Sequence, residues 1–413
     1  MKRILLSALF LSAIIATGSA KKKLPVYGDR TEKVFEKTSI HFAPGKYNKE
    51  GIAPDENGVI HLVDGRIVLK KLSIPQYKRD VDINLNITLK STGDRWDKSG
   101  SVFVIPNEAA INLIDIAAGK SSFPKQDTVK YERLAGIVAQ DGYIPNLELM
   151  RFMTPFGVGY YSNDTLKRKP LFIDGWAPEV KWSQNITDLR SRIEGEFYVG
   201  VWIDSWTNEG YSIDLTLDYN ELGYNEALQP KTHVEPVLNS VYYIGPQSHP
   251  DIFARKDLEI NFEIPKNAKN VRMKYIVTGH GGHSGGDEFR PKENIIRIDD
   301  KEVYRFTPWR TDCASFRRFN PSTAVWRIDR EEEYRDRETN EMKKRTVNEP
   351  LASSDLSRSN WCPGSDITPV EIDLKDVNHG KHKLFISVPE AAPAEGEKLN
   401  HWLMSAYLIW DVD

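Results

Sequence analysis

The chain has 413 residues, of which 40% are hydrophobic and 28% charged, with a formal net charge of −3. That length supports two or three cores of ordinary domain size. The slightly acidic balance argues against a protein that holds nucleic acid through an overall basic surface.

Lys2 and Arg3 precede an apolar run from Ile4 to Ile15, and Thr17-Gly18-Ser19-Ala20 supplies the small residues a signal peptidase needs. Residues 1–20 are therefore expected to be a signal peptide, with the exported chain beginning near Lys21 in the periplasm or outside the cell. The run is too short to span a bilayer, no later stretch reaches the needed length, and no cysteine near the cleavage point could carry a lipid. Neither membrane insertion nor a nucleic-acid partner is expected, and the protein is expected to be a monomer.

Beyond this leader, alternation with period two dominates. In VDINLNITLK, Val81, Ile83, Leu85, Ile87 and Leu89 share one face of a strand. YSIDLTLDY around Tyr211, DLEINFEI around Leu258, PVEIDL around Val370 and KLFISV around Leu384 read the same way. Helical periodicity is confined to a short stretch from Ala109 to Ala118 and to the charged segment from Arg327 to Lys344, which mixes both signs as a solvated insertion does. Many strands separated by Gly, Pro and Asn turns predict an all-β protein built of sandwiches or jelly rolls. A loop over 220–237, containing Gly223 and Pro230, separates two strand-rich halves, so the expected domains are residues 21–225 and 233–413.

Three stretches carry chemistry. In GDRWDKSGSVFVIP, Asp97 sits in a turn just before an apolar strand, where all-β scaffolds place functional groups but where an aspartate also commonly bonds its own backbone. In EFYVGVWIDSW, Phe197, Val199, Val201 and Ile203 alternate with Tyr198, Gly200, Trp202, Asp204 and Trp206. The second set is an aromatic face with a carboxylate, suited either to stacking a sugar or to lying beneath another layer. TGHGGHSGGDEF, Thr278 to Phe289, offers His280, His283 and Asp287 as metal ligands or Glu288 as a carboxylate presented by a glycine-rich loop. Cys313 and Cys362 are the two cysteines, and in an exported protein they are expected to form a disulfide.

Taken in order, RWDKSGSVFV, RFMTPFGVGYY, VWIDSW, TGHGGHSGGDEF, TDC and SRSNWCPG resemble the bacterial peptide-N-glycosidase F family. The resemblance runs from about Thr88 to the C-terminus. It implies two antiparallel jelly rolls side by side and hydrolysis of the amide between asparagine and the innermost N-acetylglucosamine of an N-glycan. Residue by residue, Asp97 falls on the family's primary catalytic aspartate, Glu288 on its second acid, and Asp204 where the family has a glutamate. Trp96 and Lys98 flank the first acid, Lys98 standing where arginine is common. Trp206, Arg358 and Trp361 fall on positions lining the substrate cleft, His280 replaces an aromatic, and Cys313 with Cys362 matches a family disulfide. The family's other disulfides are absent, including one that braces the loop holding the second acid. An insertion over about 106–148 is longer than the family's connection and reads as a lid, a specificity element or a surface elaboration.

The resemblance implies no cofactor and N-linked glycoproteins or glycopeptides as substrates. Two other classes stay open on the residues. A non-catalytic glycan-binding protein would use the Trp202 and Trp206 face. A copper or zinc enzyme on paired sandwiches would need His280 and His283 plus a third ligand, for which the sequence offers only His379 and His382 in NHGKHK.

Overall fold

The computed structural model describes residues 23–47, 52–124, 134–140, 142–157, 173, 175–250, 252–394 and 399–412. The expected signal peptide lies outside them, as do residues 125–133 and 141 of the insertion and the end of RFMTPFGVGYY. The first half contributes β1 (Arg30–Ile40), β2 (Val59–Leu62), β3 (Ile67–Ile74), β4 (Val81–Ser91), β5 (Ser99–Ile105), β6 (Leu147–Met153), β7 (Val180–Asn185), β8 (Gly195–Ile203) and β9 (Tyr211–Glu221). The second contributes β10 (Lys231–Asn239), β11 (Leu258–Ile264), β12 (Lys269–Gly279), β13 (Asn294–Ile298), β14 (Lys301–Phe306), β15 (Val325–Arg335), β16 (Met342–Ala352), β17 (Asp366–Ile367), β18 (Val370–Asp373), β19 (Gly380–Ser387) and β20 (Trp402–Val412).

These strands form antiparallel sheets ordered β1-β9-β4-β7 and β17-β6-β5-β8-β3-β2 around the first core, and β10-β20-β12-β18 and β11-β19-β13-β14 around the second. The alternation in β4 does what it predicts: Val81, Ile83, Leu85, Ile87 and Leu89 are buried, and the residues between them are partly exposed. Full burial of each such side chain stabilises by about 1.5–3 kcal/mol relative to exposure. β5 and β6 are instead buried throughout, because the first half and the second half cover opposite faces of their sheet. Gly100 on β5 lies under the Phe152 ring of β6, where a Cβ would fall 2.1 Å from the ring carbon.

The halves interlock around that sheet. β17, a strand of the second half, pairs with β6 through Asp366 with Phe152 and Ile367 with Arg151. The buried Arg151–Glu148 pair, 2.6 Å apart, reaches across to Thr278 Oγ1 on β12 at 3.3 Å. Cys313 and Cys362 form the expected disulfide.

Three expectations need correction. The charged segment from Arg327 to Lys344 is part of a two-stranded hairpin, β15 with β16. Its mixed charges pair across the strands, as in Arg345 with Glu332 and Arg330 with Glu349, and the Asp336 carboxylate accepts from Glu338 N and Thr339 N to turn the chain. The expected helix at 109–118 shrinks to a single turn, α1 (Leu113–Ala117), capped by the Asn112 side chain on Asp115 N. The expected loop over 220–237 is shorter, residues 222–230, held at Leu228 N and Gln229 N by the Asp80 carboxylate. In the insertion, Leu134, Ile137 and Val138 join the second core. Among the described residues no helix is long and apolar enough to cross a membrane.

Candidate functional site

Asp97 follows β4 in a turn that three anchors fix. The buried Asp94 carboxylate accepts from Trp96 N at 3.0 Å and from Ser205 Oγ at 2.9 Å. Thr154, in the TP of RFMTP, accepts from Lys98 N at 2.7 Å and its own N–H donates to Lys98 O at 2.8 Å. Tyr211 OH donates to Trp96 O at 2.8 Å. Asp97 is thus held with its side chain 17% exposed. Burial pushes its carboxyl up to about 7; the Arg358 charge opposes this, Glu288 adds to it, and Lys98 opposes it further.

Glu288 lies in the glycine-rich loop that follows β12. Gly281 has φ 91°, and a Cβ there would lie 2.1 Å from Leu399 O, so the turn accepts no side chain. Gly282 N then donates to Glu288 Oε2 at 2.8 Å, a contact that requires the backbone to pass close to the acid. The neighbouring Asp287 is an anchor. Its carboxylate accepts from Asn400 Nδ2, Ala392 N and Trp402 Nε1 at 2.8, 2.9 and 3.1 Å. Ser359 adds a bond from its hydroxyl to Asp287 O at 2.6 Å and one from its N–H to Glu288 O at 2.8 Å. This buried polar network braces the loop.

Arg358 joins the two acids. Buried between the Phe289 and Trp361 rings at 4.8 Å from each, it donates from Nε to Glu288 Oε1 at 3.1 Å and places Nη2 3.6 Å from Asp97 Oδ2. Trp361, 2% exposed, donates Nε1–H to Gly279 O at 2.8 Å, so it supports the guanidinium from beneath instead of offering an open surface. His280 stacks on Trp361 at 5.3 Å and meets Thr278 Oγ1 at 2.8 Å, taking the place of an aromatic. Burial, and next the Arg151 charge, hold its imidazole well below the ordinary histidine range.

Asp204 lies just past β8, anchored by its N–H donating to Ser99 O at 3.0 Å. Trp206 Nε1 donates to Oδ1 at 2.9 Å, Tyr242 OH donates to Oδ2 at 3.0 Å, and Arg66 Nη1 stands 3.5 Å from Oδ1. Burial raises the Asp204 carboxyl, and Lys98 leads the groups that oppose this. Trp96 and Trp206 are about half exposed, at 49% and 55%, and can stack a ligand.

The aromatic face of β8 divides between the two readings that the sequence left open. Trp202 is wholly buried beneath Tyr242 and Tyr243, because the chain between β10 and the next strand covers that part of the face, whereas Trp206 stays half exposed. His283 is exposed and His382 is engaged by Asp299 and Asn378 O. Among the described residues no three His, Cys, Asp or Glu side chains are grouped to hold a metal. A groove of about 1450 Å³ lined by Tyr77, Arg190, Gln229 and Lys274 contains none of the acids. Asp94, Thr154, Asn400, Tyr242 and Arg66 were not singled out from sequence, and Asp287, offered there as a metal ligand, is a structural anchor. Asp94 and Thr154 stand inside the quoted motifs; nothing local marks Arg66, Tyr242 or Asn400, whose roles come from distant strands.

Comparisons with known proteins agree with this frame. The family described as peptide-N-glycosidase F, N terminal, matches residues 31–219, and peptide-N-glycosidase F, C terminal, matches residues 248–409. A solved structure of PNGF-II is 34% identical with a TM-score of 0.77, covering 93% of this chain and 66% of its own, so this chain spans just under two thirds of that protein's length. PNGase F from Flavobacterium meningosepticum, titled a glycosylasparaginase, is 15% identical with a TM-score of 0.58 over 93% of this chain and 96% of its own, a likeness of fold. Among curated proteins no match was found.

Proposed function

This chain belongs to the peptide-N-glycosidase F family, and on that footing we propose that it is a hydrolase of the amide bond joining asparagine to the innermost N-acetylglucosamine of N-linked glycans. The observation that carries the reading is the triad of Asp97, Arg358 and Glu288, with Asp97 poised at about 7 beside a guanidinium. A group of that pKa accepts and returns protons near neutral pH.

Glu288 holds the attacking water, and Asp97 takes its proton as the oxygen bonds to the amide carbon. Arg358 sits beside the nascent oxyanion, and its charge offsets the one developing there. As the carbon–nitrogen bond breaks, Asp97 returns the proton to the departing glycosylamine, and the peptide keeps an aspartate. Asp204 orders the hydrogen bonds of Trp206 and Tyr242, while Trp96 and Trp206 stack the sugar's C–H faces. The substrates are N-linked glycoproteins or glycopeptides, met by a monomer in the periplasm or outside the cell. The glycan-binding alternative loses support because Trp202, on which its aromatic face rested, is buried.

The test is mass spectrometry of a denatured glycoprotein after incubation with the protein. Intact glycan released with conversion of asparagine to aspartate is expected. Asparagine still carrying one N-acetylglucosamine would mean cleavage between sugars and would refute the amidase reading.

A further inference from the structure

Arg66 stands among the residues around Asp204 with no role assigned so far. It is nine-tenths buried, stacks its guanidinium 4.1 Å from the Trp206 ring centre, and faces Asp204 Oδ1 at 3.5 Å. Phe42 packs against both, its ring 5.1 Å from Trp206 and 5.7 Å from the Arg66 guanidinium. Arg66 Nε has no hydrogen-bond partner although it is buried, which is uncommon for a guanidinium that serves only to stabilise a fold.

The backbone beneath it is unusual too. Val63, Asp64 and Gly65 have φ of 52°, 54° and 93° in succession. Val63 is the one β-branched residue with positive φ among the described residues, a conformation that such side chains strongly disfavour. The surroundings impose it. Ala43 N donates to Asp64 O, His41 N to Gly65 O and Ile203 N to Arg66 O, at 2.8, 3.3 and 3.1 Å, and a Cβ on Gly65 would meet the Tyr47 ring at 2.6 Å. The turn between β2 and β3 is thereby forced into the shape that sends Arg66 toward Asp204 and Trp206. Strain of this kind concentrates where a side chain must be held for function.

We infer that Arg66 is a positioning residue of the glycan subsite: it holds the half-exposed Trp206 indole as a stacking platform for the sugar and fixes the Asp204 carboxylate that accepts from the indole N–H. The inference rests on the glycoamidase reading for its substrate and deepens it. Its chemistry is specific to a planar cation. A guanidinium can lie flat on an indole while its edge meets a carboxylate, whereas an ammonium supplies the charge alone. Arg66, Tyr242 and Trp206 together fix the Asp204 carboxylate.

The experiment pairs Arg66→Gln with Arg66→Lys in the exported chain and reads two quantities. The first is calorimetric affinity for the N-acetylglucosamine disaccharide, which does not depend on turnover. Arg66→Gln is expected to weaken it about tenfold, the scale of one lost stacking cation, and Arg66→Lys nearly as much. The second is the split between KM and kcat in glycopeptide hydrolysis. Both variants are expected to raise KM by about the factor by which they weaken the disaccharide, with kcat changed far less. A purely structural arginine would lower the apparent kcat through a smaller folded fraction and leave KM where it was. A wild-type protein that binds the sugar but releases no glycan would refute the amidase reading while the affinity comparison still decides this one. Unchanged affinity in Arg66→Lys, or a wild-type protein that does not bind the disaccharide, would overturn the inference. If Arg66→Gln does not fold, Arg66→Lys carries the comparison.

Discussion

Replacing Asp97 with asparagine probes the site through stability as well as rate. Its carboxyl rises from an ordinary 3.8 to about 7, with burial outweighing the attraction of Arg358. Folded Asp97 therefore keeps its proton to higher pH than unfolded Asp97, so the folded state binds more protons across that window and its stability falls as pH rises. The stability is fully present below about pH 4 and lost by about pH 7, a span of roughly three pH units or about 4 kcal/mol. Between pH 5 and pH 8 about 2–3 kcal/mol of that loss remains to be seen. Asparagine has the same shape and no proton to release, so the variant escapes it. Urea unfolding of both proteins at pH 5 and pH 8 is expected to show the variant gaining on the wild type by that amount, alongside a fall in turnover of about 10²–10⁴. A gap that is equal at the two pH values would show that the carboxyl is not raised, and the acid/base role would lose its physical basis. A variant that folds and keeps full activity would remove Asp97 from the chemistry altogether.

Glu288→Gln retains the hydrogen bond from Gly282 N but gives Arg358 a neutral partner, and kcat is expected to fall about as steeply as for Asp97→Asn, by roughly 10²-fold or more, in steady-state glycopeptide assays. Gly100→Ala drives a methyl into the Phe152 ring and is expected to destabilise by about 1–3 kcal/mol, visible as a lower melting temperature with the pH response of Asp97 preserved. Dialysis against a strong chelator is expected to leave glycan release unchanged, since every proposed step uses carboxylates and an arginine. Loss restored only by zinc or copper would promote His280 and His283 to ligands.

The strands were legible in the sequence, and the acids were nominated there by resemblance to a family. Period-two alternation marks β4, β9, β11, β18 and β19 because one face of each sheet is apolar and the other wet, and that contrast is written along the chain. Local pattern alone left Asp97 a turn residue and Glu288 one reading of a glycine-rich loop; the order of the family's motifs singled them out, and the structure brings both to Arg358. The charged hairpin misled because alternating signs pair equally well at i,i+4 on a helix and across two strands, and only the partner strand decides between them. Trp202 stayed ambiguous in the sequence for a related reason: alternation gives the face of a strand, and what covers that face is set by Tyr242 and Tyr243, some forty residues further along the chain. Tertiary structure alone decided that β17 would join the first half's sheet, carrying Arg358 and Trp361 toward Asp97, and that Asp287, Asn400 and Ser359 would brace the second acid. Those are contacts between groups far apart in sequence, fixed by packing and hydrogen bonding that no local pattern records.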